Sequence, residues 1–273
     1  MNSAVKFSGG LGNQLFQLAF ALFLLEEHPH RLTLDVSSYR KRVRSVAPRI
    51  FELKPNYLPF EIDSSLFRSH WRSLLLPNFQ DDGTPYREWE EALLSRKSTF
   101  VGYFSQFELV GQVLPRLLPI IWRHLEPTAE TSDAVGVHIR LGDYLRPKPR
   151  GLLGVTDPKW SLRQAKLLAA EIGVQQIEVF SDSPEILDRW LDEDTTVRVM
   201  PKQTSWVALQ ELASCAAIVT SNSTFSWWAA FLQPWVHGVA GPVVAPSPWL
   251  QKRTPQEELL LPTYWKVRAR DVL

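Results

Sequence analysis

The sequence predicts an α/β protein in which parallel sheets are wrapped by helices. Three observations carry this. Strand-like and helix-like segments alternate through the second half, from Ala134 onward. The chain opens on a strand, a glycine turn and a helix. Its 273 residues suit one large domain or two small ones and can bury a sizeable core. A polar stretch over 127–133 precedes a new strand, so the expected halves are 1–130 and 131–273.

In the first half, residues 5–7 read as a strand and Gly9-Gly10-Leu11-Gly12 as a turn, with Asn13 free to cap the helix that follows. That helix, over 15–25, is apolar on nearly every face and is expected to be buried. His28-Pro29 ends it, and 31–35 is the next strand. Residues 37–99 hold Pro48, Pro55, Pro59, Pro77 and Pro85, many aromatics, and the basic cluster Arg40, Lys41, Arg42 and Arg44. They read as a loop-rich elaboration with short helices. A strand over 99–104 and a helix over 107–124, disturbed by Pro115 and Pro119, complete the half.

The second half alternates more cleanly. A strand over 134–140 leads to a loop with Pro147, Pro149 and Gly151. Thr156 or Asp157 caps a helix with Pro158 in its first turn, and Gly173 closes it. A strand over 176–180, a helix from Ser183-Pro184 and a strand over 196–200 follow. Thr204 caps a helix through Cys215, then comes a strand over 217–220, and Ser223 or Thr224 caps a helix through Phe231. Loops at the carboxyl ends of such strands form the ligand crevice.

Composition excludes several classes. Hydrophobic residues at 45% and charged ones at 22% describe a folded chain. Lys+Arg 30 against Asp+Glu 29 removes the electrostatic drive of a nucleic-acid binder. The one cysteine, Cys215, excludes an internal disulfide and a Cys-rich zinc site and fits a reducing compartment. The apolar run over 15–25 is well short of the roughly 18 to 20 residues that span a bilayer. No signal-peptide pattern precedes Gly9. The expectation is a cytoplasmic protein with at most peripheral membrane contact. The 11 tryptophans suit sugar stacking or core packing.

Four segments fall where strands end. Gly9 to Gln14 feeds a helix start, where free N–H groups can face an anion or a sugar, or where the glycines simply turn the chain. Its spacing fits neither G-x-G-x-x-G nor G-x-x-x-x-G-K-[ST], which argues against dinucleotide oxidoreductases and P-loop kinases. In HIRLGDY, alternation puts His138 and Arg140 on one side of the strand. The Arg140 fork suits a diphosphate, or it pairs internally with Asp143. In FSD, Asp182 can read a guanine edge or cap a helix. In SNSTFSWW, hydroxyls and N–H groups at a helix start form a neutral anion cradle, or an over-furnished cap with two core tryptophans. Asp192-Glu193-Asp194 matches D-x-D superficially but reads better as a solvated turn, and the remaining histidines show no ligand spacing.

Taken together, GGLGNQLFQLAFA, VGVHIRLGDYL, FSD and SNSTFSWWAAFL resemble glycosyltransferase family 11 in order and spacing over 5–232. Its members are mostly galactoside α-1,2-fucosyltransferases that use GDP-fucose. The resemblance implies a GT-B-like arrangement: an N-terminal acceptor-side Rossmann-like half, a C-terminal half binding the GDP-sugar, and the donor in the cleft. It implies no cofactor and no essential metal. By motif, Arg140 would bind the diphosphate and His138 would sit near the nucleotide. Asp182 would read guanine, and Ser223, Thr224, Phe225 and Ser226 would line the phosphate and ribose. Gly10, Gly12 and Asn13 would approach diphosphate and fucose from the other half. The sequence departs from the family pattern at Leu141, often a second Arg, and at Ser183, often Asp.

The implied reaction passes L-fucose to the 2-OH of a galactose-terminated oligosaccharide with inversion. Arg140 would stabilise charge growing on the leaving phosphate. Asp143 is the candidate base, with His138 or the departing phosphate as other proton acceptors. The competing expectations are a transferase of the same architecture using another sugar nucleotide, and a glycan-binding protein without catalysis.

Overall fold

The computed structural model describes residues 2–27, 32–40, 49–89, 97–126, 130–189 and 195–273. The chain forms two compact units. One comprises residues 1–124 with 258–262, the other 125–257 with 263–273.

The first unit is a five-stranded parallel sheet with its helices. In chain order the elements are β1 (Ser3–Lys6), α1 (Leu11–Glu27), β2 (Leu32–Asp35), β3 (Glu61–Asp63), α2 (Leu66–Leu75), β4 (Asn78–Gln80), β5 (Thr99–Val101) and α3 (Phe107–Trp122). The strand order is β3-β2-β1-β5-β4. Two expectations change. Asn13 stands inside α1 and not at its cap position: α1 begins at Leu11, and its first bond runs from the Gln14 amide to the Gly10 carbonyl at 3.1 Å. The 37–99 stretch is also more than loop, because β3 and β4 supply two of the five strands. At three residues each they are too short to show a period-2 pattern. Lys41, Arg42 and Arg44 of the basic cluster lie outside the described residues.

Helix α1 is buried as expected, with Leu15, Phe16, Leu18, Ala19 and Phe20 fully enclosed. Its two glutamines are buried too, and each is satisfied by a neighbouring loop. Gln17 accepts from the Ser8 amide (3.0 Å) and donates to the Gly102 carbonyl (2.9 Å). Gln14 donates to the Ile50 carbonyl and accepts from the Glu52 amide, both at 2.8 Å. Buried amides paired in this way bind the loops to the helix without leaving an orphaned polar group.

The second unit is a six-stranded parallel sheet. Its elements are β6 (Ser132–Ile139), α4 (Pro147–Leu153), α5 (Pro158–Ile172), β7 (Ile177–Ser181), β8 (Val197–Val199), α6 (Ser205–Ala213), β9 (Cys215–Val219), α7 (Thr224–Val236), β10 (Val243–Ser247), the first half of α8 (Pro255–Leu260), whose residues from 258 on fall in the first unit, and β11 (Lys266–Ala269). The order β11-β10-β9-β6-β7-β8 places β6 between β9 and β7. Strands such as AVGVHI and CAAIV are almost wholly buried on both faces, with His138 the one polar side chain between them, as in a parallel sheet covered on both sides. The caps fall as the sequence predicts. Asp157 accepts from the Lys159 amide, Thr204 from the Val207 amide and Ser223 from the Phe225 amide.

Three details differ here. The proline loop at 147–151 is the short helix α4, since Pro147 stands in its first turn, where no N–H is needed. Cys215 starts β9 instead of ending α6, and α7 runs on through Pro234 to Val236. Trp160, Trp227, Trp228, Trp249 and Trp265 are buried, and Trp227 packs against Trp228, Phe231 and Trp265. These tryptophans are core, not a stacking platform. No helix among the described residues is long and apolar enough to cross a membrane.

Candidate functional site

The adjacency of β9, β6 and β7 brings three of the four sequence segments together. Each strand ends at the same edge of the sheet. Arg140 to Asp143 follow β6, Asp182 follows β7, and Ser221 to Ser223 lead from β9 into α7.

Arg140 is the centre of this edge, with its side chain 13% exposed. Nη2 donates to Asp143 Oδ1 at 2.5 Å, and Nη1 lies 3.1 Å from Asp182 Oδ2. Burial works against its charge, but Asp182 and then Asp143 outweigh it and raise the guanidinium pKa above its usual range. Nε is buried with no hydrogen-bond partner. The Tyr144 ring lies beneath, with its centroid 5.2 Å from Cζ.

Asp182 does not cap the following turn. Its Oδ1 accepts from the Leu141 amide at 3.0 Å, so both carboxylate oxygens hold the β6 end. Gly142 makes this approach possible: a Cβ there would stand 2.0 Å from Asp182 Oδ2. Leu141, the departure from the family pattern, is fully buried in the core of the unit.

His138 is buried, and its Nδ1 lies 2.7 Å from Ser221 Oγ. Burial, and then the Arg140 cation, push its pKa down to about 3, so the ring is neutral at ordinary pH. Its face meets Phe225 at 5.2 Å. A ring so hard to protonate is a poor base, and its Nδ1 is engaged with the Ser221 hydroxyl.

At the start of α7, Ser223 is the cap, and Thr224 and Phe225 are half-buried. Ser226 differs from the expectation that it lines the ligand. It is fully buried, and its hydroxyl donates to the carbonyls of Ser223 (3.0 Å) or Ser221 (3.3 Å), bracing the turn from behind. Asn222 ties this turn to other loops. Its carbonyl accepts from Tyr144 Oη at 3.2 Å, and its side chain bonds Leu153, Gly154 and Thr156.

Gly10, Gly12 and Asn13 belong to the first unit, Gly10 just before α1 and the others in its first turn. Asp192 to Asp194 lie outside the described residues. Among the described residues no three His, Cys, Asp or Glu gather as metal ligands. His124 bridges the Lys54 amide and the Ile120 carbonyl, and His237 meets the Ser214 carbonyl. Sequence reasoning missed Tyr144, Thr156 and Arg270. Only Tyr144 stands inside a motif; Arg270 lies 114 positions from Thr156, which it bonds.

An Escherichia coli protein named alpha-1,2-colitosyltransferase is 22% identical, covering 90% of this chain and 92% of its own. Human galactoside alpha-(1,2)-fucosyltransferase 1 is 26% identical over 82% of this chain, which spans 64% of that relative. The crystal structure of fucosyltransferase NodZ from Bradyrhizobium shares the fold, with a TM-score of 0.51 at 14% identity over 86% of this chain and 94% of that one. This is the α/β, GT-B-like class expected from the sequence. The sequence model described as Glycosyl transferase family 11 matches residues 121–252, the stretch that holds the HIRLGDY turn and the SNSTFSWW helix start.

Proposed function

We propose that the protein transfers L-fucose from GDP-β-L-fucose to the 2-OH of a galactoside, inverting the donor's linkage to α. The observation that carries the reading is Arg140, a nearly buried fork at the end of β6, one strand away from the start of α7. Its motif is the family's, and the two α-1,2 transferases above are similar over most of this chain.

In this reading Arg140 and the α7 amides take the diphosphate. They stabilise the charge that grows on the leaving phosphate as the sugar bond breaks. Ser223 and Thr224 line the phosphates, Phe225 the ribose, and neutral His138 holds Ser221 in place. Asp182, which keeps a free lone pair on each oxygen, reads the guanine edge. Gly10, Gly12 and Asn13 are assigned by motif to the diphosphate and fucose. Asp143 takes the acceptor's proton once the donor draws Arg140 away from it. No metal is required, because the positive charge comes from the guanidinium and the helix start.

A second reading keeps the chemistry and changes the sugar: the relative that spans 92% of its own length is named for colitose. Incubation with GDP-fucose and lactose, followed by mass and linkage analysis, tests the proposal. A product one deoxyhexose heavier, linked α-1,2 to galactose, is expected. Transfer only from the colitose nucleotide selects the second reading, and no transfer from either refutes both.

A further inference from the structure

Beyond β11, Arg270 turns back beneath the candidate site. It is 7% exposed, and no carboxylate lies among its hydrogen-bond partners. Nη1 donates to Thr156 Oγ1 at 3.0 Å, and Nη2 donates at 2.8 Å to the carbonyls of Leu153 and Leu250. Thr156 Oγ1 in turn donates to Asn222 Oδ1 at 3.1 Å. Asn222 Nδ2 completes the circuit on the carbonyls of Leu153 (2.9 Å) and Gly154 (3.1 Å). Asn222 itself immediately precedes Ser223, the cap of α7.

The proton directions follow from this chain. A guanidinium only donates, so the Thr156 oxygen accepts from it and spends its single proton on Asn222 Oδ1. That fixes the Asn222 amide with its nitrogen toward the two carbonyls. The surrounding backbone is built for close approach. A Cβ on Gly154 would stand 2.9 Å from Arg270 Nη2, and 155–157 is held against 271–273 by bonds from Leu273 N to Val155 O and from Asp157 N to Asp271 O, both 2.9 Å.

For stability alone such a group is a poor choice. A buried cation without a bonded anion is disfavoured, and apolar side chains of similar volume often replace buried charges without loss. Burial lowers the Arg270 pKa to about 10, opposed by Glu257 and Tyr144, so it stays charged at neutral pH. Glu257 is engaged elsewhere, on the Ser247 hydroxyl and the Trp249 amide.

We infer that Arg270 is a positioning residue for the donor: through Thr156 it fixes Asn222, and with it the amides and hydroxyls that open α7. The inference rests on the transferase reading and adds residues that no sequence motif contains.

The test is calorimetric titration of GDP into the parent, Arg270→Met, Thr156→Val and the double variant, with the melting temperature of each. Each single change is expected to weaken GDP binding roughly tenfold, about one relayed hydrogen bond. The double variant should lose little more than either, because both break one chain. Arg270→Lys, which keeps a donor, should recover part of the loss. Variants that melt lower yet bind GDP like the parent make Arg270 a staple of the last strand and overturn the inference. Thr156→Val removes only a hydroxyl and decides the matter if Arg270→Met does not fold. A parent that fails to bind GDP refutes the transferase reading and this inference with it, whereas parental binding with indifferent variants refutes this inference alone.

Discussion

Arg140 and Asp143, three positions apart on one turn, are joined at 2.5 Å, while Asp182 holds the other terminal nitrogen of Arg140 at 3.1 Å. One cation therefore stands between two carboxylates. The two are not equivalent. Asp182 is anchored on the Leu141 amide and pressed against Gly142, whereas Asp143 rides on a short 3-10 turn, Gly142–Leu145. A diphosphate that claims Arg140 competes with Asp143 and uses Asp182 as a support.

That asymmetry predicts opposite effects from removing the same charge. Asp143→Asn should bind GDP severalfold more tightly, yet transfer fucose at least about a hundredfold more slowly if it is the base. Asp182→Asn should bind GDP more weakly, because its one remaining oxygen can serve the Leu141 amide while an NH2 group, a donor, faces Arg140. Titration at fixed ionic strength checks this. Equal tightening in both variants would reduce the effect to net charge.

Arg140→Lys keeps the charge and loses the planar fork. The expected loss is on the order of 2 to 5 kcal/mol of transition-state stabilisation, guided by truncation of buried charge pairs. That corresponds to roughly 30-fold or more in kcat/KM. Kinetics are read beside the melting temperature without ligand. A variant that melts early but turns over normally would show that Arg140 serves only its ion pairs.

Nucleotide choice follows from Asp182. GDP at about 100 times its Kd should stabilise the fold by roughly 2.7 kcal/mol, and equimolar UDP or ADP by much less. Thermal shifts with the three nucleotides report this directly, and equal shifts would remove the guanine assignment.

With Arg140 and the α7 start as the source of positive charge, activity should survive EDTA with at most a modest loss. Complete inactivation restored by Mn²⁺ would contradict it and direct attention to Asp192 and Asp194.

In the first unit, Asp63 governs acid stability. Burial opposes its charge, but bonds from Arg68, the Ser65 amide and Arg72 prevail and hold the carboxyl at about 2. An unfolded aspartate titrates near 3.9, so the contribution is complete above about pH 4 and is lost as pH falls toward 2. Asp63→Asn leaves the buried Arg72 without its anion and should cost about 3 kcal/mol at neutral pH. Its denaturant midpoint should also vary less than the parent's between pH 4 and 2. An unchanged acid slope would show that another group sets it.

The sequence by itself determined the parallel α/β class, the cap at Thr204, those at Asp157 and Ser223 to within one residue, and the residue types of HIRLGDY and SNSTFSWW. Those signals are local: a cap, a glycine or a run of apolar residues acts within a turn or two of chain. Tertiary structure decided that β9, β6 and β7 lie side by side, so that Asp182 reaches Arg140 across 42 positions of sequence. It also decided that β3 and β4 are strands, since three residues become a strand only beside a partner that takes their hydrogen bonds. The Arg270–Thr156–Asn222 chain is long-range at both links, 114 and 66 positions of sequence. Its donors and acceptors meet only because strand order and register close the loops between them, and neither order nor register is written in the neighbours of any one residue.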